Sequence, residues 1–477
     1  GPKPADTVLD STLIADGTIT SAKIADNTIV NADVNNIDAS KITSGDIALA
    51  RLGNVPASDN ASALTTGTIP DARLSNQVKV VKSGSAPGSP QEGDLWYDTT
   101  NDVLKVYDDS SSAFQKVVRE NAVLNSITGN IYNTLTGNLT LNGSGFMDAN
   151  LIVSFTPSGG SASTVTVTPT SGSVATVAIP SAIYGQSAGT VIGIKVTNDD
   201  GKTSATVNST VIALPSGGTI STHGSYRVHT FLSTANFVVP SGFSKSMDTL
   251  IVAGGGAGGN WHAGGGGAGG MITYNTTPTA ATYTMTVGAG GAGGTTSVGS
   301  QGGSSVAFSQ STVGGGRGGN YNVTLAGNGG SGAGGNGDGN NRQAGSGTAG
   351  QGNDGGDGFN GSHAGGGGGG KGAVGGAGTH ASIAGAGGVG ATNDYRTGSA
   401  VYYAGGGAGG TWGGGAAASG GTGGGGNGSY NQNTSAPTAG AVNTGGGGGG
   451  SGSQGNNTSY AAQTTGGSGI IVVRYTL

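Results

Sequence analysis

Glycine is concentrated in the second half of the chain, where 82 of its 105 glycines lie between residues 251 and 477. Many of them form Gly-Gly-X runs, including uninterrupted glycines at 365–370 and 445–450. Glycine loses more backbone entropy on folding than any other residue, and ordering a residue costs roughly 1–2 kcal/mol. This zone therefore either stays disordered, as Gly/Ser linkers do, or folds into a structure built for glycine.

Features of the glycine-dense zone favour an ordered structure. Apolar segments at 249–253 and 470–475 bracket the zone and are expected to pair as strands, and segments 282–287 and 304–308 alternate as strands do. The Gly-Gly-X pattern fits a polyproline-II-like helix, which has three residues per turn and no internal hydrogen bonds. We expect such helices to pack side by side through glycine, hydrogen-bonded to one another. Because a hydrogen bond gains only about 0.5–1.5 kcal/mol, the bundle needs its framing strands.

The composition excludes several classes of protein. Charged residues make up 9% of the chain, against roughly 25% in average soluble domains, and the net charge is only −5, so neither nucleic acid nor an anionic membrane is an expected partner. No apolar stretch approaches the length of a membrane span, which needs about 18 consecutive apolar residues. The lack of cysteine excludes disulfides and thiolate metal sites. Gly1 and Pro2 resemble a protease-cleavage scar, so we expect a longer natural protein with an attachment region toward its N-terminus.

The first 80 residues contain a repeat of five. A period of five fits neither one face of a strand nor one stripe of a helix, so the chain must turn within each repeat. Such a pattern is typical of a solenoid or of an intertwined bundle of several chains, and a flexible linker is the alternative. The repeat is carried by Ile14, Ile19, Ile24, Ile29 and Val34, and then by Ile37, Ile42, Ile47 and Leu52.

Two β-modules are predicted between the repeat and the glycine zone. Residues 81–122 contain two short strands, at 94–98 and 103–107, separated by a turn. Trp96 and Tyr97 could stack on a sugar, but aromatic residues in so small a unit are usually its core. Residues 123–216 contain alternating segments at intervals near ten, the pattern of an antiparallel β-sandwich, for which we expect the role of a spacer.

Several stretches resemble parts of bacteriophage tail fibres. The repeats ADGTITSAKI and ADNTIVNADV resemble fibre shafts, and GDLWYDTTNDVLKVYD resembles a small tail-fibre module in which Phe114 replaces an expected Trp. LTLNGSGF and IKVTNDDGKTS resemble immunoglobulin-like modules of the IPT/TIG type. TISTHGSYRVHTFLSTANFVVPSG, DTLIVAGGGAGG and GGSGIIVVRY resemble the glycine-rich domain that ends many phage tail proteins, and His229 belongs to that shared frame as a structural residue.

The resemblance implies an all-β, elongated modular fibre of four parts. These are a repeat-wound trimeric shaft (1–80), a small β-hairpin module (81–122), an Ig-like β-sandwich (123–216) and a glycine-rich tip (217–477) with polyglycine-II-like helices framed by strands. It implies a homotrimer in the virion that joins a proximal tail-fibre or baseplate protein and binds a bacterial surface receptor, either an outer-membrane protein or a surface glycan.

Bulky residues that interrupt the glycine runs are the candidate receptor contacts. A glycine lattice excludes side chains, so these residues are expected on loops, where aromatic rings stack on sugars and polar groups bond to hydroxyls or to a protein loop. Some of them could instead fill gaps in a core short of apolar residues. The candidates are Trp261, His262, Arg317, Tyr321, Arg342, Phe359, His363, Tyr395, Arg396, Tyr402, Tyr403, Trp412, Tyr430 and Tyr460.

Catalytic and metal sites are not expected. The zone from 251 onward has no Glu and only four Asp, at 338, 354, 357 and 394, with nothing apolar near Asp354 and Asp357 to raise a pKa. The five histidines show no metal-ligand spacing, and no cofactor is predicted. The rival interpretations are a bacterial surface adhesin, a polysaccharide-degrading tailspike, and an ice-binding or purely structural glycine protein.

Overall fold

The computed structural model is nearly all β. It describes residues 15–25, 80–101, 103–117, 121–146, 150–199, 201–294, 298–320, 325–340, 342–380, 383–412, 417–430, 435–452 and 464–477. Within them the one α-helix is α1 (Ser181–Tyr184), and short 3-10 turns occupy Ser21–Lys23 and Asn360–Ser362. The chain divides into two compact units, Gly1–Val117 and Val118–Leu477. Most of the predicted shaft lies outside the described residues, so its winding stays a prediction.

The first unit contains one four-stranded sheet. Its strands, in sheet order, are β1 (Val80–Ser83), β2 (Leu95–Asp98), β3 (Val103–Asp108) and β4 (Ala113–Lys116). The β2–β3 hairpin confirms the two predicted strands, and Trp96, 6% exposed, packs edge-on against Phe114 at 5.3 Å. Trp96 is therefore a core residue, as its small module led us to expect.

Two sheets with a shared core open the second unit. The three-stranded sheet has the order β10-β7-β5 and the five-stranded sheet the order β6-β12-β11-β8-β9. Inward residues alternate along each strand, as Leu151, Val153 and Phe155 do on β8, and all three are fully buried. Each of the six segments predicted from the sequence contains a strand. The strands are β5 (Val123–Thr128), β6 (Ile131–Tyr132), β7 (Asn138–Ser144), β8 (Leu151–Pro157), β9 (Ser163–Val167), β10 (Val174–Ala178), β11 (Val191–Thr197) and β12 (Val207–Ile212).

Strands also frame the glycine-dense zone. A five-stranded sheet has the order β13-β14-β23-β16-β17, and β15-β18, β19-β20 and β21-β22 form separate antiparallel pairs. These strands are β13 (Thr219–His223), β14 (Tyr226–Phe231), β15 (Ala235–Val239), β16 (Met247–Val252), β17 (Met271–Thr276), β18 (Ala281–Met285), β19 (Ser305–Ala307), β20 (Gln310–Thr312), β21 (Ala391–Asn393), β22 (Val401–Tyr403) and β23 (Ile470–Thr476).

The two ends of the glycine zone meet in the middle of this sheet. β16 pairs antiparallel with β23, from Asp248 opposite Arg474 to Val252 opposite Ile470, which confirms the predicted bracket. Ile251 and Ile471 pack on one face of the sheet, while Leu250 and Val472 pack on the other. The sheet is therefore apolar on both faces and anchors the glycine runs that leave its strands.

The glycine runs are extended segments whose backbone groups bond to other runs. The run 263–270 illustrates the pattern, because its successive N–H groups donate hydrogen bonds to three neighbouring runs in turn. The N–H groups of 264, 267 and 270 donate to the carbonyls of 319, 316 and 313; those of 265 and 268 donate to 366 and 369; and those of 263, 266 and 269 donate to 451, 448 and 445. Each neighbour is thus met at every third residue.

Most of the described glycines in these runs have no space for a side chain. A Cβ built on Gly264 would lie 1.7 Å from the carbonyl oxygen of Gly334, and one on Gly265 would lie 2.1 Å from that of Gly407. Neither distance is compatible with a carbon atom, and the obstacle is backbone rather than a movable side chain. Large side chains are consequently placed where the runs end.

Candidate functional site

The glycine runs have two kinds of end. At one, the strand end, they join β16, β17, β20 and β22. At the other, the loop end, the described loop residues are 260–262, 336–340, 342, 359–363 and 411–412. Side-chain amides tie the loops together. The Asn260 N–H donates to Asn320 Oδ1 at 2.8 Å, and Asn336 Nδ2 donates to the carbonyl of Trp261 at 2.7 Å.

Three of these loops bring two imidazoles and a carboxylate together. His262 Nδ1 lies 3.3 Å and His363 Nδ1 3.1 Å from the same oxygen, Asp338 Oδ2. The imidazole ring centroids are 4.7 Å apart. His262 is 1% exposed, whereas the side chains of Asp338 and His363 are 19% and 35% exposed. We call these three residues the histidine cluster.

The surroundings of the cluster favour neutral imidazole at His262. Burial, together with the neighbouring His363, lowers the pKa of His262 to about 4, although Asp338 acts in the opposite direction. A neutral imidazole keeps a lone pair that can accept a hydrogen bond or bind a metal ion. Two imidazoles and one carboxylate are the donor set of the cluster.

The backbone at and next to the histidine cluster is strained. Trp261, His262 and His363 all have left-handed backbone, with φ of 60°, 48° and 52°. Residues other than glycine adopt this region rarely and at a cost of order 1–3 kcal/mol each, and such strain is concentrated at functional sites. Three strained residues side by side single out the loop end as the candidate functional site.

Trp412 lies beside the histidine cluster. Its ring centroid is 5.5 Å from that of His363 and 6.1 Å from that of His262. Within the described residues its Nε1 is buried without a hydrogen-bond partner, as are His262 Nε2 and His363 Nδ1. Among the described residues, the loop end therefore holds three buried nitrogens that lack a hydrogen-bond partner.

Half of the predicted receptor contacts lie at or beside the loop end. Trp261, His262, Phe359, His363 and Trp412 are on the four loops, and Arg342, exposed, accepts a hydrogen bond from the N–H of Gly358 through its carbonyl. Tyr430 forms a bridge with Thr411 in the same region. His262 corrects the expectation of exposure, since the rings and loops around it bury its side chain. Tyr321 and Tyr460 lie outside the described residues.

Another group of predicted contacts lies at the strand end. Tyr395 packs against Arg474, whose guanidinium is 4.0 Å from the ring centroid, and Tyr402 is 47% exposed. Arg396 is half-buried there and interacts with Tyr403. Tyr403 is 1% exposed in the core beneath β16 and β23, and burial raises the pKa of its phenol. Tyr403 therefore fills the core and is not an exposed contact residue.

Arg317 lies on a side face of the glycine zone, where it lines a groove of about 760 Å³ with Asp354 and Asp357. These two carboxylates accept backbone hydrogen bonds. Asp354 Oδ1 accepts from the N–H of Gly347 at 2.7 Å and Asp357 Oδ1 from that of Ala344 at 2.8 Å. Both acids thus hold a neighbouring loop in place.

Sequence reasoning missed the histidine cluster. The histidines lack metal-ligand spacing along the chain, but folding brings His262 and His363 to Asp338, which stands 76 positions after His262. Their proximity depends on how the glycine runs are ordered in the lattice. No local pattern could have revealed it.

Comparison with known proteins identifies the domain that carries the cluster. A family model described as a glycine-rich domain matches residues 230–476, slightly more than half of the chain. No curated protein matches the chain. Among the described residues, no helix has the length and apolar character needed to cross a membrane.

Proposed function

The chain belongs to the glycine-rich domain family, and on that premise we propose that it is the distal part of a bacteriophage tail fibre, a non-enzymatic receptor-binding protein. In this proposal a rigid glycine lattice presents its loop end to a receptor on the bacterial surface. The observation that carries the proposal is the convergence of bulky loop residues at one end of a backbone-bonded array whose glycine runs leave no room for side chains between them.

The lattice is proposed to consist of polyglycine-II-like helices. A helix with three residues per turn points every third N–H in the same direction. The run 263–270 has this periodicity, because three neighbouring runs receive its hydrogen bonds in rotation. Such an array has little freedom to deform, since each run is held from several sides. Rigidity lowers the entropic cost of binding, because the loops are ordered before they meet a receptor.

The chemistry of the loop end suits a glycan or a protein loop as receptor. Phe359, 37% exposed, offers a ring face to an apolar or sugar surface, and the exposed Arg342 offers a planar group of donors to hydroxyls or carboxylates. Both lie on the loops around the histidine cluster. An aromatic and an arginine are also the residue types that most often dominate binding energies.

Trimerisation through the N-terminal repeat would multiply weak contacts. The resemblance of the repeat to fibre shafts favours an intertwined trimer, and three tips held together convert later binding events into intramolecular ones. Effective concentration then raises avidity by about 10²–10⁴ without any new contact. A fibre of this kind belongs in the virion. Light scattering on the purified chain tests the proposed trimer, and a monomeric mass would contradict it.

Binding of the fluorescent full chain to candidate host cells tests the proposal. Intact cells should bind it saturably. Protease treatment should abolish binding if the receptor is a protein, and removal of surface glycan should abolish it if the receptor is a glycan. The double substitution Phe359→Ala with Arg342→Ala should weaken binding about 10- to 100-fold, because two central contacts are lost. Arg342 is exposed and Phe359 is 37% exposed, so the melting temperature should fall only slightly.

Tyr402→Ala is the matched control, because Tyr402 is an aromatic residue at least as exposed as Phe359, 47% against 37%, but lies at the strand end. It should bind as the unmodified chain does. A loss of binding in Tyr402→Ala with full binding by the double variant would place the receptor site at the strand end and contradict the proposal.

A further inference from the structure

We propose that His262, Asp338 and His363 form a binding site for a divalent transition-metal ion of the zinc class. The three residues come from three different loops, and one ligand atom from each lies within 4.8 Å of the other two. The site concerns the architecture of the loop end, so it does not depend on whether that end binds a receptor.

The distances between the ligand atoms match the edges of a metal coordination sphere. Ligand atoms about 2.1 Å from a metal ion lie about 3.4 Å apart in a tetrahedron and about 3.0 Å apart at neighbouring corners of an octahedron. The two Nδ1–Oδ2 distances, 3.3 Å and 3.1 Å, fall between these values. The loops therefore already hold the nitrogens and the oxygen at a spacing that an ion can bridge.

Hydrogen bonds alone leave the cluster unsatisfied. Asp338 Oδ2 has both Nδ1 atoms within 3.3 Å, but only the contact with His262 has hydrogen-bond geometry. His363 Nδ1 thus lies 3.1 Å from a carboxylate oxygen and has no hydrogen bond among the described residues. A metal ion resolves this arrangement, because it takes the lone pairs of both nitrogens and of the oxygen at once.

The groups around the three ligands are fixed as those around metal ligands usually are. Asp338 Oδ1 accepts a hydrogen bond from the N–H of Gly339 at 3.0 Å, which leaves Oδ2 free to face the imidazoles. The carbonyl of His262 accepts from the N–H of Gly337 at 2.7 Å, which joins the first loop to the second. The Trp412 ring lies beside both imidazoles, with its centroid 5.5 Å from that of His363 and 6.1 Å from that of His262.

The donor set selects the class of ion. Imidazole nitrogens suit Zn²⁺, Ni²⁺, Cu²⁺ and Fe²⁺, whereas Ca²⁺ and Mg²⁺ need several oxygen ligands. One carboxylate with two imidazoles therefore favours zinc and its neighbours over calcium. Bound there, the ion would join the three loops that carry His262, Asp338 and His363.

Zinc binding to the tag-free full chain, after treatment with a chelator, tests the proposal. Isothermal titration with Zn²⁺ alone should give one ion per chain with a dissociation constant at or below about 10 µM. His363→Ala and Asp338→Asn change partly exposed ligands and should each weaken binding about 10-fold or more. Saturating Zn²⁺ should also raise the melting temperature of the unmodified chain by about 5 °C, but not that of either variant.

His380→Ala is the matched control, since it removes an exposed histidine that is not part of the cluster. It should bind zinc as the unmodified chain does. Cobalt absorption provides a second measurement, because visible bands from nitrogen and oxygen ligands should appear in the control and vanish in His363→Ala. No binding at 100 µM Zn²⁺, or equal binding by His363→Ala and the unmodified chain, would overturn the proposal.

Discussion

At Gly447 the chain passes so close to its neighbours that a single added methyl group would overlap their backbone atoms. A Cβ there would lie 1.9 Å from the carbonyl oxygen of Gly266 and 2.8 Å from the backbone nitrogen of Gly407. Neither neighbour can rotate away, because both belong to runs held by their own hydrogen bonds. The sequence predicted that the lattice excludes side chains. It could not tell which glycines face backbone, because that depends on the neighbours of each run.

Replacing Gly447 by Ala should therefore destabilise the second unit by about 3 kcal/mol, through overpacking against rigid backbone. Gly172→Ala in the same unit is the control, because its Cβ would meet its nearest atom, the carbonyl oxygen of Phe146, at an ordinary 3.7 Å. That variant should change stability by less than about 1 kcal/mol. Denaturant titration of both variants measures the difference, and equal stabilities would refute the close packing at Gly447.

Tyr403 illustrates what residue types alone could not reveal. A tyrosine that interrupts glycine runs fits an exposed loop, but Tyr403 ends β22 and is buried beneath the central sheet. Its burial depends on the pairing of β21 with β22, and two strands of three residues each are too short for their sequences to specify a register. Tyr402, one position earlier, faces the solvent instead, as alternation along a strand requires.

Among the elements, the central strand pair of the glycine zone was predictable, whereas the parallel strand pair of the first unit was not. The apolar segments that became β16 and β23 indicated strands that bracket the glycine zone, and they pair. His229 on β14 was assigned to the frame, and it is buried with Nδ1 donating to the carbonyl of Gly217 at 2.8 Å. Its ring stacks on Tyr475 of β23 with centroids 5.8 Å apart. The parallel pairing of β1 with β2, by contrast, had no local signal.

His229 should make the frame sensitive to acid. Burial lowers the pKa of His229 to about 4, and Arg227 acts in the same direction, although the hydrogen bond to Gly217 raises it. An unfolded histidine titrates near pH 6.5, so between pH 6.5 and 4 the unfolded chain binds the additional proton. Stability is therefore complete above about pH 7 and is lost as the pH falls through this window, by up to about 1.4 kcal/mol per pH unit.

His229→Asn removes this titration while keeping a donor near Gly217. Unfolding free energies of the variant, measured from pH 7 to pH 4, should fall less steeply than those of the unmodified chain by about that slope. At pH 7 the variant should be the less stable of the two, since it loses the ring contacts. Parallel curves for the two proteins would show that the proton does not enter at His229.

For the whole molecule, the sequence predicted the kind of structure and not its convergent site. Glycine density, bracketing strands and sparse aromatic interruptions were enough to expect a lattice with loops. The meeting of His262, Asp338 and His363 was not predictable, because their order along the chain does not determine which loops become neighbours. Such long-range order arises from the sideways hydrogen bonds between runs, which glycine sequences of equal composition could satisfy in many ways.

The central claim is that glycine-dense backbone is held as a stiff, hydrogen-bonded array, and amide hydrogen exchange tests it most directly. In the intact chain, peptides covering the runs at 263–270, 365–370 and 445–450 should exchange slowly and together, because their N–H groups donate to neighbouring runs. Exchange throughout 251–477 at the rate of an unstructured glycine peptide would contradict the claim.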